Sequence, residues 1–336
     1  MIIRPPEPED NDELIQLDRV APEEGLISYY VDRRPKYIHE PDAKGFFPYI
    51  AEVNGKIVGV VFSSIDELYV NGEPKACDYV SSLRVHPEYR RRGIGRALID
   101  RAVEKGREER ADIFWAVIMG KNLASSRTFE KCGFDRVGGH GFRVIISKGR
   151  RRFSDASLRE ATEEDFDDMA TLFSSFYKSH NFRPKDTRKW LTSRCRVKGT
   201  RLGVVCVAER DGRVVATVRA VRQWLTTKMV ITKLPLSMRF LSSLLRLGIE
   251  EGSLLKMIDV GAISFSQGEE MAATDLINFA RRRLRDECRI AFIQYVRGGE
   301  EEKFMTKARG FSGYSDVLAM SPDRKLEELD PIFPSR

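Results

Sequence analysis

Arginine and glycine residues are concentrated in one short stretch of the first half of the sequence. Gly93 and Gly95 would let the backbone approach an anion closely, and they open an amphipathic stretch that carries Leu98 and Val103. The N-terminus of a helix offers unpaired amides and the positive end of a dipole to a phosphate. The stretch therefore predicts a pyrophosphate-binding loop. Its residues are Arg90, Arg91, Arg92, Gly93, Ile94, Gly95 and Arg96.

The strand predicted before this loop, over residues 78–85, carries side chains that could transfer a proton. Asp78, Tyr79 and Ser81 are the candidates for a general base or for a group that orients a water molecule. Period-two alternation places Tyr79, Ser81 and Leu83 on one face and Asp78 on the other. A solvated carboxylate at a strand end is the alternative interpretation of Asp78, and the pattern does not say which face meets a substrate.

A second polar cluster follows the loop by about thirty residues and opens the helix predicted over residues 123–131. Asn122 and Ser125 lie at its start, and Phe129 precedes a Gly133-Phe134 ending that is typical of a helix C-cap followed by a strand. Asn122 could contact a ligand, but it could equally cap the helix.

The sequence contains an internal repeat. Asn54-Gly55 and Asp211-Gly212 are both strong two-residue hairpin signals, and each is flanked by matching apolar residues. Ile3-Arg4 and Leu158-Arg159 each precede a similar acidic, amphipathic helix. The chain therefore contains two copies of one α+β unit.

The element order within the first copy predicts one mixed sheet with helices packed against it. We expect a first domain over residues 1–148, a charged linker over 149–153, and a second domain over 154–331.

At these motifs the chain resembles the GNAT family of acyl-CoA N-acyltransferases. Residues 83–95 match the family's strand and pyrophosphate loop, and residues 122–134 match its second CoA-proximal motif. The resemblance implies a tandem chain of two GNAT-like domains, each a mixed, mostly antiparallel sheet flanked by helices, with a degenerate second copy. The second half is also similar to hookless-type tandem proteins.

The resemblance also implies a cosubstrate and a reaction. Acetyl-CoA would lie with its pyrophosphate on residues 90–96 and its pantetheine arm along the backbone of Leu83, Arg84 and Val85, near Asn122, Ser125 and Phe129. The acetyl group would pass to a primary amine of a small molecule, or to an exposed amino group, by direct attack in a ternary complex. Many members have a proton-donating tyrosine where this chain has Phe129, so a non-catalytic acyl-CoA sensor or regulatory module is the alternative.

The second copy lacks the basic loop. After its corresponding strand come residues 264–270, in which Glu269 and Glu270 would repel a pyrophosphate. We therefore expect one CoA site per chain.

Bulk composition narrows the function less than these motifs do. The net charge of +7 favours anionic partners, but a nucleic-acid partner rests on charge alone. Five cysteines without a close pair predict neither a disulfide framework nor a metal site. The first residues contain no apolar leader, which predicts a cytoplasmic protein. Residues 234–249 are too short and too charged to span a membrane, and we expect core or interdomain packing, with a membrane-surface helix as the alternative. No feature predicts an oligomeric state.

Overall fold

The first half of the chain alternates strands and helices in the predicted order. The computed structural model describes residues 1–25, 27–38, 43–120, 122–146, 152–193, 196–197, 200–245, 247–284, 288–296, 302, 310–322 and 329. The elements of the first half are β1 (Ile2–Arg4), α1 (Asn11–Val20), β2 (Ser28–Val31), β3 (Phe46–Val53), β4 (Lys56–Val70), β5 (Glu73–Val85), α2 (Ile94–Glu108), β6 (Ile113–Met119), α3 (Leu123–Lys131) and β7 (Asp135–Ile145).

The second half repeats this order with additional short elements. Its elements are β8 (Ser157–Glu160), α4 (Phe166–Phe176), β9 (Arg183–Pro184), α5 (Thr187–Ser193), β10 (Arg196–Val197), β11 (Thr200–Arg201), β12 (Gly203–Arg210), β13 (Arg213–Arg222), α6 (Gln223–Thr226), β14 (Met229–Lys233), α7 (Leu236–Leu245), β15 (Ile258–Phe265), α8 (Glu270–Arg283), β16 (Ala291–Val296) and β17 (Gly310–Met320).

The two halves share one continuous sheet of 13 strands. Its order is β1-β3-β4-β5-β6-β17-β7-β16-β15-β13-β12-β8, and β9 adds to β4. The pairs β5–β6 and β15–β16 are parallel, and the other pairs between neighbouring strands are antiparallel. The predicted α+β class with mixed, mostly antiparallel sheets is confirmed.

The internal repeat is visible at atomic detail. Both predicted hairpins have the positive φ angles that a type I′ turn needs, 51° and 74° at Asn54-Gly55 and 51° and 73° at Asp211-Gly212. Each copy also begins with an arginine that bridges the carboxylate at a helix start and a glutamate on the neighbouring strand. These clusters are Arg4 with Asp10 and Glu52, and Arg159 with Asp165 and Glu209.

Helices cover both faces of the first-half sheet. Leu98, Ile99 and Ala102 lie at helical spacing on α2 and are fully buried against one face. Gly106 lets the same helix approach the sheet, because a Cβ there would overlap the side chains of Asp78 and Phe114. Helix α1 packs on the opposite face through Leu14 and Leu17.

The halves exchange strands, which the sequence did not predict. Strand β17 lies between β6 and β7 and pairs with both, and β7 pairs on its other edge with β16. Strand β2 pairs with β14 of the second half. Residues 149–151 of the expected linker lie outside the described part of the chain, and the domain limits at 148 and 154 stay a prediction.

Helix α7 does not pack as the sequence predicted. Leu236, Phe240 and Leu244 follow one another at a spacing of four residues and are 79%, 72% and 66% exposed. Met238 and Ser242, on the opposite side of the helix, are the buried residues of this helix. The expectation of core or interdomain packing was therefore wrong for the exposed side of α7.

Candidate active site

The predicted phosphate loop connects β5 to α2 through a turn at Pro87–Tyr89. Arg91 and Gly93 have φ angles of 63° and 81°, in the left-handed region, and Gly93 precedes the helix without a side-chain cap. The first-turn amides of a helix have no carbonyl partner within the helix. They are therefore available to an anion at the positive end of α2.

Exposed arginines surround this helix start. Arg90 donates from Nε to the Val85 carbonyl at 3.3 Å, and Arg92 donates to the Glu88 carbonyl at 3.0 Å while lying over the Tyr89 ring. These contacts hold the arginines at the rim, so that positive charge is concentrated where the amides are free. The predicted loop and the predicted helix start therefore coincide.

Next to the loop, strands β5 and β6 separate. Within the described residues, β5 and β6 pair only through residues 77–79 of β5 and residues 113–115 of β6. Beyond that point β5 stays paired with β4 as far as Val85, and β6 stays paired with β17 as far as Met119. The facing edges of residues 81–85 and 116–119 therefore border a gap in the sheet.

Gly95 lies at the inner end of this gap. An ideal Cβ there would lie 3.5 Å from Thr128 Cγ2, 3.7 Å from Val85 Cγ2 and 3.9 Å from Leu83 Cδ2. These are ordinary van der Waals distances. Packing within the protein therefore does not require a glycine at this position. Because Gly95 has no side chain, space is left between α2 and the side chains of Leu83, Val85 and Thr128.

Strand β5 contains a bulge at Ser82, whose φ is 55°. The register with β4 shifts there, so that Ser81 pairs with Phe62 and Arg84 pairs with Val60. Leu83 therefore packs in the cluster beneath α2 and not beside Tyr79 and Ser81. Simple alternation along the strand was wrong from Ser82 onward, because the bulge inserts an extra residue.

Asp78 is fully buried on the α2 side of the sheet. Its oxygens lie 2.7 and 2.8 Å from the donating hydroxyl of Ser63, and the Ser64 amide also donates to it. Burial raises the pKa of Asp78 to about 6, and these hydrogen bonds oppose the increase. The carboxylate is covered by Gly106, so it faces a helix and not the gap.

Tyr79 and Ser81 lie on the opposite face, toward α1. The Tyr79 ring is 4.7 Å from the Trp115 ring, which stacks on Phe182 of the second half at 4.7 Å. Ser81 is partly exposed. Of the three proton-transfer candidates, Tyr79 and Ser81 therefore share a face, and Asp78 is separated from them by the sheet.

The second predicted cluster has clear structural roles. Asn122 Oδ1 accepts from the Ser125 amide at 3.1 Å and caps α3. Phe129 is 2% exposed and packs edge to face on Phe134 at 5.0 Å. A ligand role for Asn122, Ser125 and Phe129 stays a prediction.

The corresponding helix start in the second half is occupied by an ion pair. Glu269 precedes α8, and its carboxylate accepts from Arg210 at 2.8 Å. Gly268 retains a positive φ of 85°. The backbone turn is therefore similar to that before α2, but an ion pair of Glu269 with Arg210 stands there in place of the arginine loop.

Sequence reasoning missed a charged cluster on the α1 side of the bulge. Asp18 of α1 is 3% exposed and lies 3.2 Å from Arg33 Nε and 3.6 Å from Arg84 Nε. Asp18 continues the buried side of α1 that contains Leu14 and Leu17. A carboxylate on an apolar helix side was the available signal.

The comparisons with known proteins agree with this geometry. Residues 11–134 match the model of the acetyltransferase (GNAT) family. This GNAT match lies entirely in the first half of the chain. It is 31% identical over 119 residues to an uncharacterized N-acetyltransferase of Methanocaldococcus jannaschii, covering 33% of this chain and 50% of that relative. The chain thus spans half the length of this GNAT relative.

Other relatives extend the similarity. An N-alpha-acetyltransferase of Sulfurisphaera tokodaii is 28% identical over 134 residues, which cover 38% of this chain and 76% of the relative. The GCN5-related N-acetyltransferase from Kribbella flavida has a TM-score of 0.55 at 11% identity, covering 96% of this chain and 71% of that one. Saccharomyces cerevisiae N-myristoyltransferase with bound myristoyl-CoA has a TM-score of 0.64 at 10% identity, and the match covers 100% of this chain and 82% of that one. The solved structures establish the GNAT fold alone.

Two further observations concern metal binding and membrane insertion. Within the described residues, no group of three or more His, Cys, Asp or Glu side chains could hold a metal ion. Among the same residues, no helix has the length and apolar character needed to cross a membrane.

Proposed function

We propose that this chain transfers an acetyl group from acetyl-CoA to a primary amine, by direct attack in a ternary complex. The observation that carries the proposal is the basic, uncapped start of α2 beside the gap between β5 and β6. The amides of residues 91–95 and the surrounding arginines suit the pyrophosphate. The backbone of Leu83, Arg84 and Val85 suits an extended pantetheine arm that adds like a strand.

The fit to CoA is supported by shape as well as charge. Gly95 leaves space between Leu83, Val85 and Thr128, and the arginine side chains stand at the rim and not in the gap. The whole-length fold similarity to an N-myristoyltransferase with bound myristoyl-CoA also supports an acyl-CoA as cosubstrate. Asn122 and Ser125 would border the arm from the start of α3, and Phe129 would lie behind them in the core.

For the acceptor side we propose the face that carries Tyr79 and Ser81. An alkyl amine has a pKa of about 10 and must lose a proton before it attacks. Tyr79 and Ser81 would orient the amine or a water molecule that accepts this proton. The thiolate of CoA can leave without a positioned acid, because a thiol has a pKa of about 8.5. The similarity to an N-alpha-acetyltransferase supports an exposed amino group as acceptor.

Gly95→Glu tests the cosubstrate assignment. A carboxylate at this position would occupy the gap and repel the pyrophosphate, so we expect acetyl-CoA affinity to fall by about 100-fold or more. Met271→Glu is the matched control, because Met271 is the second residue of α8 and is 62% exposed. Calorimetric titration with acetyl-CoA measures both variants. Unchanged affinity in folded Gly95→Glu would remove the assignment.

A non-catalytic acyl-CoA-binding module is the second candidate. It is favoured by the burial of Asp78 beneath α2 and of Phe129 in the core, which leaves neither in contact with the gap. Thiol release from acetyl-CoA, measured against a panel of peptide and small-molecule amines, separates the two functions. Acetyl-CoA binding without amine-dependent thiol release would favour the module.

A further inference from the structure

Four charged side chains and one tyrosine form a cluster on the α1 side of the bulge. Asp18 accepts from Arg33 at 3.2 Å and from the Tyr37 hydroxyl at 3.0 Å, and it lies 3.6 Å from Arg84. Arg84 also pairs with Glu23 at 2.8 Å. The side chains of Asp18, Arg84 and Arg33 are only 3%, 14% and 23% exposed. Charges held this far from water must be paired to be tolerated.

The cluster is attached to the bulge at two points. Arg84 is two residues beyond Ser82 on β5, and Arg33 donates to the Ser82 hydroxyl at 3.4 Å. A serine with a φ of 55° within a strand is held in a sparsely populated conformation, which persists only when its surroundings fix it. Asp18 of α1 supplies such a constraint through Arg84 of β5 and through Arg33, which follows β2.

The second copy has the bulge without this cluster, and a different charged side chain, the buried Arg219, pairs in register with Gly261 beside it. Ala262 of β15 has a φ of 52°, and the register with β13 shifts beside it, as it does at Ser82. Two residues further along, where the first copy has Arg84, the second has Ser264, whose buried hydroxyl has no partner among the described residues. The position that corresponds to Asp18, eight residues after the helix-start aspartate, is Phe173. The charged cluster therefore accompanies the copy that has the phosphate loop.

We propose that Asp18 and Arg33 are positioning residues that hold the β5 bulge in the conformation needed to polarise the thioester carbonyl of acetyl-CoA. This inference rests on the proposed function: an arm that runs from the pyrophosphate along Val85, Arg84 and Leu83 would end with its thioester beside the bulge at Ser82. A backbone amide can stabilise developing charge only if its direction is fixed before the reaction. The cluster fixes it from the side of the sheet opposite to α2.

Asp18→Asn tests this role, and Asp10→Asn is the matched control. Both aspartates are buried at the ends of the α1 segment and bind an arginine from the sheet, but Asp10 binds Arg4, far from the bulge. The readout is the carbonyl stretch of bound [1-¹³C]acetyl-CoA in isotope-edited infrared spectra. We expect a shift to low frequency in the wild type and in Asp10→Asn. We expect this shift to be lost in Asp18→Asn, with acetyl-CoA affinity within about tenfold of wild type.

Arg33→Gln is a milder second variant in case Asp18→Asn does not fold. It removes one anchor and leaves the Asp18 and Arg84 pair, so the carbonyl shift should be reduced and not abolished. The proposal is overturned if folded Asp18→Asn or Arg33→Gln retains the full shift, or if Asp10→Asn loses it equally. A wild-type protein that binds no acetyl-CoA would instead overturn the proposed function on which this inference rests.

Discussion

The starts of helices α2 and α8 occupy the same place in the two copies but differ in charge. Each follows a bulged strand that is parallel to the next strand of the sheet, and each begins after a glycine-containing turn. Before α2 the residues are arginines, whereas before α8 Glu269 is paired with Arg210. The same backbone can therefore attract or repel a pyrophosphate, depending on a few side chains.

The difference shows which features belong to the fold and which to the site. An arginine cluster of the same kind lies at the start of each copy, around Arg4 in the first and around Arg159 in the second, and neither cluster touches the gap. The arginine loop and the Asp18 cluster are present in the first copy alone among the described residues. The clusters that support the fold therefore occur in both copies, whereas the charged groups that suit a ligand occur in the first copy.

The largest expected effect comes from breaking the strand that the copies share. Val317 is fully buried in β17, so Val317→Pro would remove a hydrogen bond by which β17 pairs with β6 or β7 and should cost about 3 kcal/mol or more of unfolding free energy. Acetyl-CoA binding should be lost with the fold. Ser157→Pro, at the first residue of edge strand β8, is the control and should be tolerated. Chemical denaturation measures the stability of both variants, and calorimetric titration measures their acetyl-CoA binding. Normal binding in Val317→Pro would show that the first copy does not depend on β17.

Binding stoichiometry tests the comparison of the two helix starts directly. We expect one acetyl-CoA per chain, because the ion pair of Glu269 with Arg210 places a carboxylate where a pyrophosphate would lie. Calorimetric titration gives the number of sites. Two equivalent sites per chain would show that the charge difference between α2 and α8 does not decide binding.

A smaller effect concerns His140, on the strand that joins the copies. His140 is 5% exposed, its Nδ1 has no partner among the described residues, and burial lowers its pKa to about 4. The unfolded chain, with a pKa of about 6.5, binds the proton more tightly, so stability is full above this pH and falls between about pH 6.5 and 4.

Between these two pH values the contribution of His140 should lower the free energy of unfolding by about 3 kcal/mol. His140→Phe should reduce this pH dependence of stability. Burial also lowers the pKa of His180 to about 4, so a part of the dependence should remain in His140→Phe. Denaturant unfolding at several pH values measures it, and an unchanged slope in His140→Phe would contradict the assignment.

The smallest effect is expected at Asp78. Asp78→Asn should keep acetyl-CoA affinity and turnover within about threefold, since the side chain lies beneath α2 and can still accept from Ser63. The raised pKa means that the protonated carboxyl stabilises the fold below about pH 4 and that this contribution is lost as the pH rises through about 6. The variant should lack this dependence. A hundredfold fall in turnover at unchanged affinity would make Asp78 the general base.

Local signals in the sequence predicted much of the fold and of the loop. The hairpins at Asn54 and Asp211 were predicted because positive φ angles restrict the residue types that can occupy them. Helix α3 has the bounds expected from its polar start and its Gly133 ending. The phosphate loop was predicted because its glycines and arginines are contiguous.

Features that depend on distant parts of the chain were not predicted. The pairing of β17 with β6 joins residues about two hundred positions apart and leaves no local pattern. Alternation along β5 could not show that α2 covers Asp78, and it failed at the bulge, because a serine gives no warning of a positive φ. The Asp18 cluster forms where α1, the segment after β2 and β5 meet, and residue spacing in the sequence does not predict such a contact.

The insertion of β17 also has a consequence for synthesis. During translation, residues 1–146 leave the ribosome before residues 310–320 exist, and at about 5–20 residues per second the delay is roughly ten seconds or more. Throughout that interval the edges of β6 and β7 that β17 later occupies are without their partner, and exposed edges invite pairing with other chains. Completion of the sheet beside the proposed acetyl-CoA site therefore waits for a strand from the far end of the polypeptide.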